Sequence, residues 1–368
     1  MSGTARAARS MGHGRSSAEL SAKLRQDILD GKISAGGYLP TERELASNHG
    51  VAGMTARRAL KALEAQGLIT AEPRRGYRVM ARAHDPGRGA PLAYVLAPHP
   101  GAQLWDDLHR ALLAGFQQAA AARGWTLLAV GCEVLSFDQV VEQLRAARVC
   151  GAILDTPGRE LIDAVLRAGM PAITVDDWRE DLEIDSVVQD GFRGGLLAGK
   201  WLAERGRRRI GWIGPVGVSR QGLERFGGAS AALAGAGIEL PPEMRVVLDD
   251  PESPKGVEGA RRLLSRKNRP DAVLALWQGC TASLVKAARE LGLVPGRDFD
   301  MVGWSTDEDY ERTFLPNFNG GPVPPAVVWR VGTLARATIA RLAELRAGPA
   351  DAPTVIKVPT RLKLAAGK

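Results

Sequence analysis

Past residue 91, short apolar runs alternate with stretches of helical period for most of the remaining chain. The runs LAYVLAP (92–98), TLLAVG (126–131), GAILDT (151–156), AITVDD (172–177), RIGWIG (209–214), MRVVLDD (244–250), AVLALW (272–277) and DMVGWS (300–305) have strand length. Segments between them, such as 104–122 and 192–203, space their apolar residues as helices do. Neighbouring parallel strands need a long crossover, usually a helix, so this alternation predicts parallel sheets flanked by helices. Residues 91–368 exceed what one compact sheet of this kind needs. The expectation is therefore an α/β body of two similar Rossmann-like lobes with a cleft between them.

The chain before residue 91 is different in charge. Residues 1–90 carry 15 Lys and Arg against 8 Asp and Glu, a net of +7, whereas the rest nets +1. A basic head on a neutral body points to a polyanionic partner for the head. Within it, SSAELSAKLRQDIL places Leu20, Leu24 and Ile28 four apart on one helical face, with Gly31 as a stop. In LPTERELASNHG, Thr41 and Glu44 have the spacing of a capping box, and Gly50 ends that helix. A third helix to about Gln66 buries Ala56, Leu60 and Leu63 and turns Arg57, Arg58, Lys61 and Glu64 outward. GLITAEPRRGYRVM then reads as two short strands around a turn. Three helices followed by a basic hairpin make a winged helix-turn-helix. Taken singly, Arg57 or Arg58 would be an ordinary solvated helix residue; the caps, the wing and the charge asymmetry together point to DNA.

The stretch LPTERELASNHGVAGMTARRALKALEAQGLITAEPRRGYRV resembles the GntR-type winged helix, whose pattern fixes turns, caps and arginines over about sixty residues. The resemblance implies that Arg43, Thr55 and Arg57 contact double-stranded DNA, and that Gly76 enters the minor groove beside Arg75; Arg58, on the outward face of the same helix, is a further DNA candidate. An arginine at the start of a recognition helix can bond guanine O6 and N7 at once. The departure is at Ala52 and Gly53, where that family usually has Ser-Arg. Loss of an N-cap hydroxyl costs roughly 1 kcal/mol. Loss of a bidentate arginine removes about 1–3 kcal/mol of base discrimination. An altered or weaker site preference is expected.

The body resembles the LacI-type effector domain, itself related to periplasmic sugar-binding proteins. VVQDGFRGGLLAGKWLAERGRRRIGWIGP (187–215), SRQGLERFGGASAALAGAGI (219–238), PDAVLALW (270–277), KAARELGLVPGRDFDMVGWS (286–305) and VIKVPTRLKL (355–364) carry the likeness in order. It implies a small carbohydrate-like effector in the cleft and a homodimer. By position, Asp190 and Arg225 match charged ligand contacts of that family. Trp105 falls where an entry-loop contact stands, Trp277 replaces the usual Asn, and Ser305 the usual Asp. Aromatic faces can stack on sugar faces or rings, so Trp105, Trp277 and Trp304 are candidate cleft linings; Trp201 and Trp212 read as core.

These readings divide the chain into a disordered basic arm (1–16), a winged helix-turn-helix (17–80), a Gly/Pro-rich linker (81–91) and the two-lobed body (92–368). The arm has Arg6, Arg9 and Arg15 but no apolar stretch, which is unlike a secretory signal. No apolar run reaches membrane-spanning length, and three scattered cysteines suit a reducing cytoplasm. The five histidines (His13, His49, His84, His99, His109) lack metal-ligand spacing, so neither a metal nor another cofactor is expected. GFRGGLLAG (191–199) matches no phosphate-binding pattern and reads as helix packing. The whole is expected to be a ligand-responsive transcription regulator, by default a repressor relieved by a carbohydrate, and not an enzyme. The rival readings are an enzyme fused to the same head, a transport-type binding protein, and an activator with a non-sugar effector.

Overall fold

The computed structural model describes residues 17–29, 32–33, 36–65, 68–73, 75–80, 90–97, 107–132, 136–177, 183–217, 219–251, 253–318, 321–347 and 352–364. The arm, the linker through residue 89, and Gly31, Gln66 and Trp105 lie outside them. The chain folds as two compact units, Met1–Gly89 and Ala90–Lys368.

In the first unit, helices α1 (Ser17–Leu29), α2 (Glu42–His49) and α3 (Gly53–Ala65) precede a hairpin of β1 (Ile69–Glu72) and β2 (Gly76–Val79). Leu20, Leu24 and Ile28 of α1 pack with Leu45 of α2 and with Ala56, Ala59, Leu60 and Leu63 of α3, closing one core with Ile69 and Val79. The hairpin gains a third member that the sequence reading missed. Leu39 donates its N–H to Tyr77 O at 2.8 Å, and Val79 donates its own to Gly37 O at 2.8 Å.

The second unit holds two six-stranded sheets. The first lobe runs β3 (Leu92–Leu96), α4 (Asp107–Ala121), β4 (Leu127–Gly131), α5 (Phe137–Ala146), β5 (Ala152–Asp155), α6 (Arg159–Arg167), β6 (Ala172–Val175) and β7 (Asp185–Gln189). The chain then enters the second lobe with α7 (Gly191–Glu204), β8 (Ile210–Gly214), α8 (Arg220–Gly235), β9 (Arg245–Val247), α9 (Lys255–Leu264), β10 (Ala272–Leu274), α10 (Gln278–Glu290), β11 (Asp300–Thr306) and β12 (Ala326–Trp329). It returns with α11 (Val331–Ala347) and β13 (Val355–Val358) and closes in the second lobe with β14 (Arg361–Lys363). Strand orders are β4-β3-β5-β6-β7-β13 and β9-β8-β10-β11-β12-β14, parallel throughout except at β12/β14.

Every residue of β3, β5 and β6 is buried, because helices cover both sheet faces; this is why these strands read as unbroken apolar runs. Tyr94 packs toward α4 and its neighbour Val95 toward the opposite face with Val140 and Leu144. The eight expected strands are present, with shifted ends: β9 starts at Arg245 because Met244 closes a short 3-10 turn, and β10 stops at Leu274. Strands β7, β12, β13 and β14 were not anticipated.

The glycines of GFRGGLLAG do pack a helix. A Cβ on Gly195 would overlap the Arg225 carbonyl, and one on Gly228 would overlap the Phe192 carbonyl, so α7 and α8 meet backbone to backbone. Three crossovers join the lobes, and they are tied together. Asp190 N–H donates to Val358 O at 2.9 Å, and Thr360 Oγ1 donates to Asp190 O at 3.0 Å. Asp307 accepts from Arg330 Nε at 2.9 Å and from Arg361 Nη2 at 2.7 Å, on the other two crossing segments.

Candidate functional sites

In the first unit, two caps set the angle of the helix pair. Thr41 Oγ1 accepts the Glu44 N–H at 3.3 Å, and Glu44 Oε2 accepts the Thr41 N–H at 2.8 Å, the expected capping box. Gly50, at φ 63, closes α2 in the left-handed conformation that glycine tolerates best. Helix α3 then starts without a side-chain cap. The Ala52 carbonyl takes the N–H groups of Thr55 at 2.8 Å and Ala56 at 3.1 Å, but Ala52 has no hydroxyl to offer. A Cβ at Gly53 would meet open space, so no crowding demands glycine there. The departure at this position is one of chemistry, and an arginine side chain would find room.

Arg43, Arg57 and Arg58 are exposed and Thr55 is half-buried. Arg57 is held only loosely: its Nε lies 3.9 Å from Glu42 Oε1, and its side chain is 60% exposed. Glu64 turned out to be partly covered. It accepts the Ala71 N–H at 3.2 Å and pairs with Lys61 at 2.7 Å, which fastens α3 to the wing. On the wing, Glu72 accepts from Tyr38 Oη at 2.6 Å and from Arg78 Nη1 at 3.0 Å; these bonds hold its carboxyl below the usual range. Arg75 follows the tip with its side chain 73% exposed, next to Gly76 at φ 101. Sequence reasoning had not singled out Tyr38, Glu72 or Arg78. Tyr38 meets the hairpin through an isolated bridge to Arg78, forty residues along the chain, so no local pattern connected them.

In the second unit, parallel open sheets offer ligands a crevice beyond the carboxyl ends of their strands, where the strand order reverses. The reversals fall between β3 and β5 in one lobe and between β8 and β10 in the other. Two non-glycine residues just past the first lobe's strands adopt positive φ, Thr156 at 44° and Asp176 at 60°. Such backbone conformations are uncommon outside glycine and gather at functional sites.

Arg225, Trp277 and Trp304 converge here; Ser305, next to Trp304 on β11, belongs to the opposite face of the strand. The Arg225 guanidinium lies over the Trp304 ring at 3.8 Å and the Trp277 ring at 4.5 Å. Its Nη1 donates to Leu276 O at 2.7 Å and its Nη2 to Gln189 Oε1 at 2.8 Å. Gln189 donates in turn to Asp176 Oδ1 at 2.7 Å. Burial dominates both charges: it draws Arg225 down to about 10 against the pull of Asp176, and it raises the Asp176 carboxyl against the pull of Arg225. Trp277 and Trp304 are buried, and glycines make room for them: a Cβ on Gly214 would sit 2.8 Å from the Trp277 ring, one on Gly194 2.6 Å from Trp304. Ser305 Oγ is buried and has no hydrogen-bond partner among the described residues.

Asp190 is placed differently from that cluster. It is the N-cap of α7, with Oδ1 accepting the Arg193 N–H at 3.0 Å. Trp212 is fully buried, as expected of core; Trp201 is half-buried under Arg205. Gln189, Asp176 and Gln221, bonded to one another or to Arg225 at the lobe boundary, are residues that sequence reading missed. Among the described residues, no group of three or more His, Cys, Asp or Glu could hold a metal ion.

Comparison with known proteins follows the same division. Residues 16–79 match the family described as bacterial regulatory proteins, gntR family, and residues 200–364 match the periplasmic binding protein-like domain. An HTH-type transcriptional repressor PurR of Serratia proteamaculans (strain 568) is 38% identical over 148 residues, 39% of this chain and 42% of the relative. The repressor of the same name from Klebsiella pneumoniae (strain 342) is 34% identical over 147 residues, with the same coverage. The chain thus spans 42% of the length of these curated relatives. Among solved structures, a transcriptional regulator CelR–cellobiose complex is similar at TM-score 0.64 and 20% identity, covering 89% of this chain and 99% of that one. A regulatory protein of LacI family from Chloroflexus aggregans is similar at TM-score 0.62 and 21% identity, covering 73% and 96%. These likenesses show the fold of the second unit, a two-lobed periplasmic-binding-protein-like α/β domain.

Proposed function

We propose that this chain, a GntR-type helix-turn-helix domain followed by a periplasmic-binding-protein-like domain, is a cytoplasmic DNA-binding transcription regulator controlled by a small molecule. Its α3 enters the major groove of an operator, with Arg43, Thr55, Arg57 and Arg58 facing DNA and Arg75 and Gly76 at the minor groove. The observation that carries this is the capped α2–α3 pair, which leaves three arginines exposed on a basic head. The chain acts as a homodimer whose two heads read half-sites about one helical turn apart. An effector that prefers one lobe arrangement shifts the lobe equilibrium, and with it the fit of the heads to DNA. Repression is the default reading, in keeping with the repressors among its relatives, and binding rather than catalysis is its task.

The effector sits between the lobes at the strand ends, beside Asp190, Trp277 and Ser305. A carbohydrate is the first class to test. A planar ring compound is the second reading, favoured by indole in place of amide at Trp277. Selection of duplexes from a random-sequence pool by the full-length chain tests the function. Enrichment of a two-fold symmetric motif supports it; no enrichment at low salt, with or without candidate effectors, overturns it.

A further inference from the structure

Helix α3 opens on a run that offers a base edge almost nothing polar. From Val51 to Met54 the side chains are Val, Ala, Gly and Met, so nothing stronger than a thioether acceptor precedes Thr55. Ala52, Gly53 and Met54 are exposed, and Thr55 is half-buried. Met54 is 61% exposed, more than any other large apolar side chain among the described residues.

The core of the head does not use this side chain. Helix α3 turns Ala56, Ala59, Leu60 and Leu63 inward, and Met54 lies outside that cluster. Arg57 and Arg58 follow it at i+3 and i+4, which makes them its neighbours on the helix surface. Both arginines are exposed as well. A Cβ at Gly53 would meet open space, so no group crowds this end of the helix. The exposed start of α3 therefore sets one apolar side chain beside two guanidinium groups.

That pairing matches what a duplex displays. Residues at the start of a recognition helix meet base edges in the major groove. There the apolar feature that distinguishes a base pair is the C5-methyl group of thymine. Methionine is unbranched and polarizable, with three rotatable bonds, and it adapts to irregular apolar surfaces.

We propose that Met54 is a specificity-determining residue that packs on a thymine C5-methyl group, next to the base pair met by Arg57. The inference rests on α3 being the recognition helix of the proposed DNA-binding function. Where Gly53 supplies no guanidinium, Met54 supplies apolar discrimination instead, and the operator half-site carries a thymine at that place.

The full-length chain and the duplex it selects from a random-sequence pool test this. Each thymine of the motif is replaced in turn by deoxyuridine, which removes the C5-methyl group and keeps the hydrogen-bonding edge. One thymine per half-site is expected to be sensitive. Wild-type affinity should fall about fourfold for each half-site changed, the contribution of one buried methyl-sized group. Met54→Ala should bind the thymine and deoxyuridine duplexes equally, so that the two changes overlap instead of adding. Its urea midpoint and its slope of log affinity against log salt should match the wild type, because the residue is exposed and uncharged. A motif with no methyl-sensitive thymine would overturn the inference and leave the DNA-binding reading standing. So would a sensitive thymine that Met54→Ala still distinguishes from deoxyuridine as the wild type does. If no duplex is selected, both fall.

Discussion

Arg57 in the head and Arg225 in the body are both arginines that the sequence assigns to ligand contact, but the two units treat them in opposite ways. Arg57 keeps its hydration, with one distant carboxylate at 3.9 Å. Arg225 is buried, bonded to Leu276 O at 2.7 Å and Gln189 Oε1 at 2.8 Å, and lies against two indole rings. An exposed guanidinium remains available to a polyanion and adds little to stability. A buried one is already committed to the fold, and removing it strands the groups it served. A motif that marks an arginine as functional therefore says nothing about whether the fold has used it first.

The largest expected effect follows from that contrast. Arg225→Ala leaves Gln189 and the Leu276 carbonyl without their partner and empties the space between the indoles. It should lower unfolding free energy by about 3–5 kcal/mol in urea titration. A loss below about 1 kcal/mol would place Arg225 beside Arg57 as a surface-like charge. Arg57→Ala should reverse the pattern. Affinity for the selected duplex should fall by roughly 1–3 kcal/mol, while the midpoint of urea unfolding stays in place.

The glycines sharpen the same comparison more gently. Gly53 faces open space, so Gly53→Arg should be tolerated by the fold and tighten DNA binding by up to about 1–3 kcal/mol. Gly195→Ala drives a methyl into the Arg225 carbonyl and should destabilise the body by about 1–3 kcal/mol; equal tolerance at both sites would break the argument. The smallest effect concerns acid. Burial pushes the Asp307 carboxyl up, but Arg361, Arg330 and Lys363 outweigh it and hold it at about 2. A lowered carboxyl contributes stability that is present above its unfolded value of 3.8 and is lost as pH falls toward 2. Asp307→Asn should flatten the stability profile over that window, and an unaltered profile would remove Asp307 from the crossover clamp.

Much of the architecture was legible in the sequence because it rests on local patterns. The capping box, the four-residue apolar spacing in α1 and the buried parallel strands each announce themselves within a few residues. What stayed hidden depends on partners far along the chain. Strand β7, DSVVQ, carries Asp185, Ser186 and Gln189, all buried, so no apolar run marks it. Asp185 is satisfied by Arg341 Nε at 2.8 Å and the Thr354 N–H at 3.0 Å, and Ser186 by Thr174 at 2.6 Å. The segment at Gly37–Leu39 likewise joins the wing only through its backbone bonds to Tyr77 and Val79. In the cleft, the substitution of Trp at 277 was visible, but its effect on Arg225 was not. That effect arises from Gly214 and Gly194, which make room for the indoles from elsewhere in the chain.

The central claim is that the basic head binds DNA through exposed arginines. The salt dependence of binding measures it most directly, since each phosphate neutralised adds about 0.9 to the slope of log K against log salt. For the full-length chain on its selected duplex, a steep negative slope is predicted, with Arg75→Ala shallower by about 1 if Arg75 neutralises a phosphate. A slope near zero, or one that Arg75→Ala and Arg57→Ala leave untouched, would contradict the account.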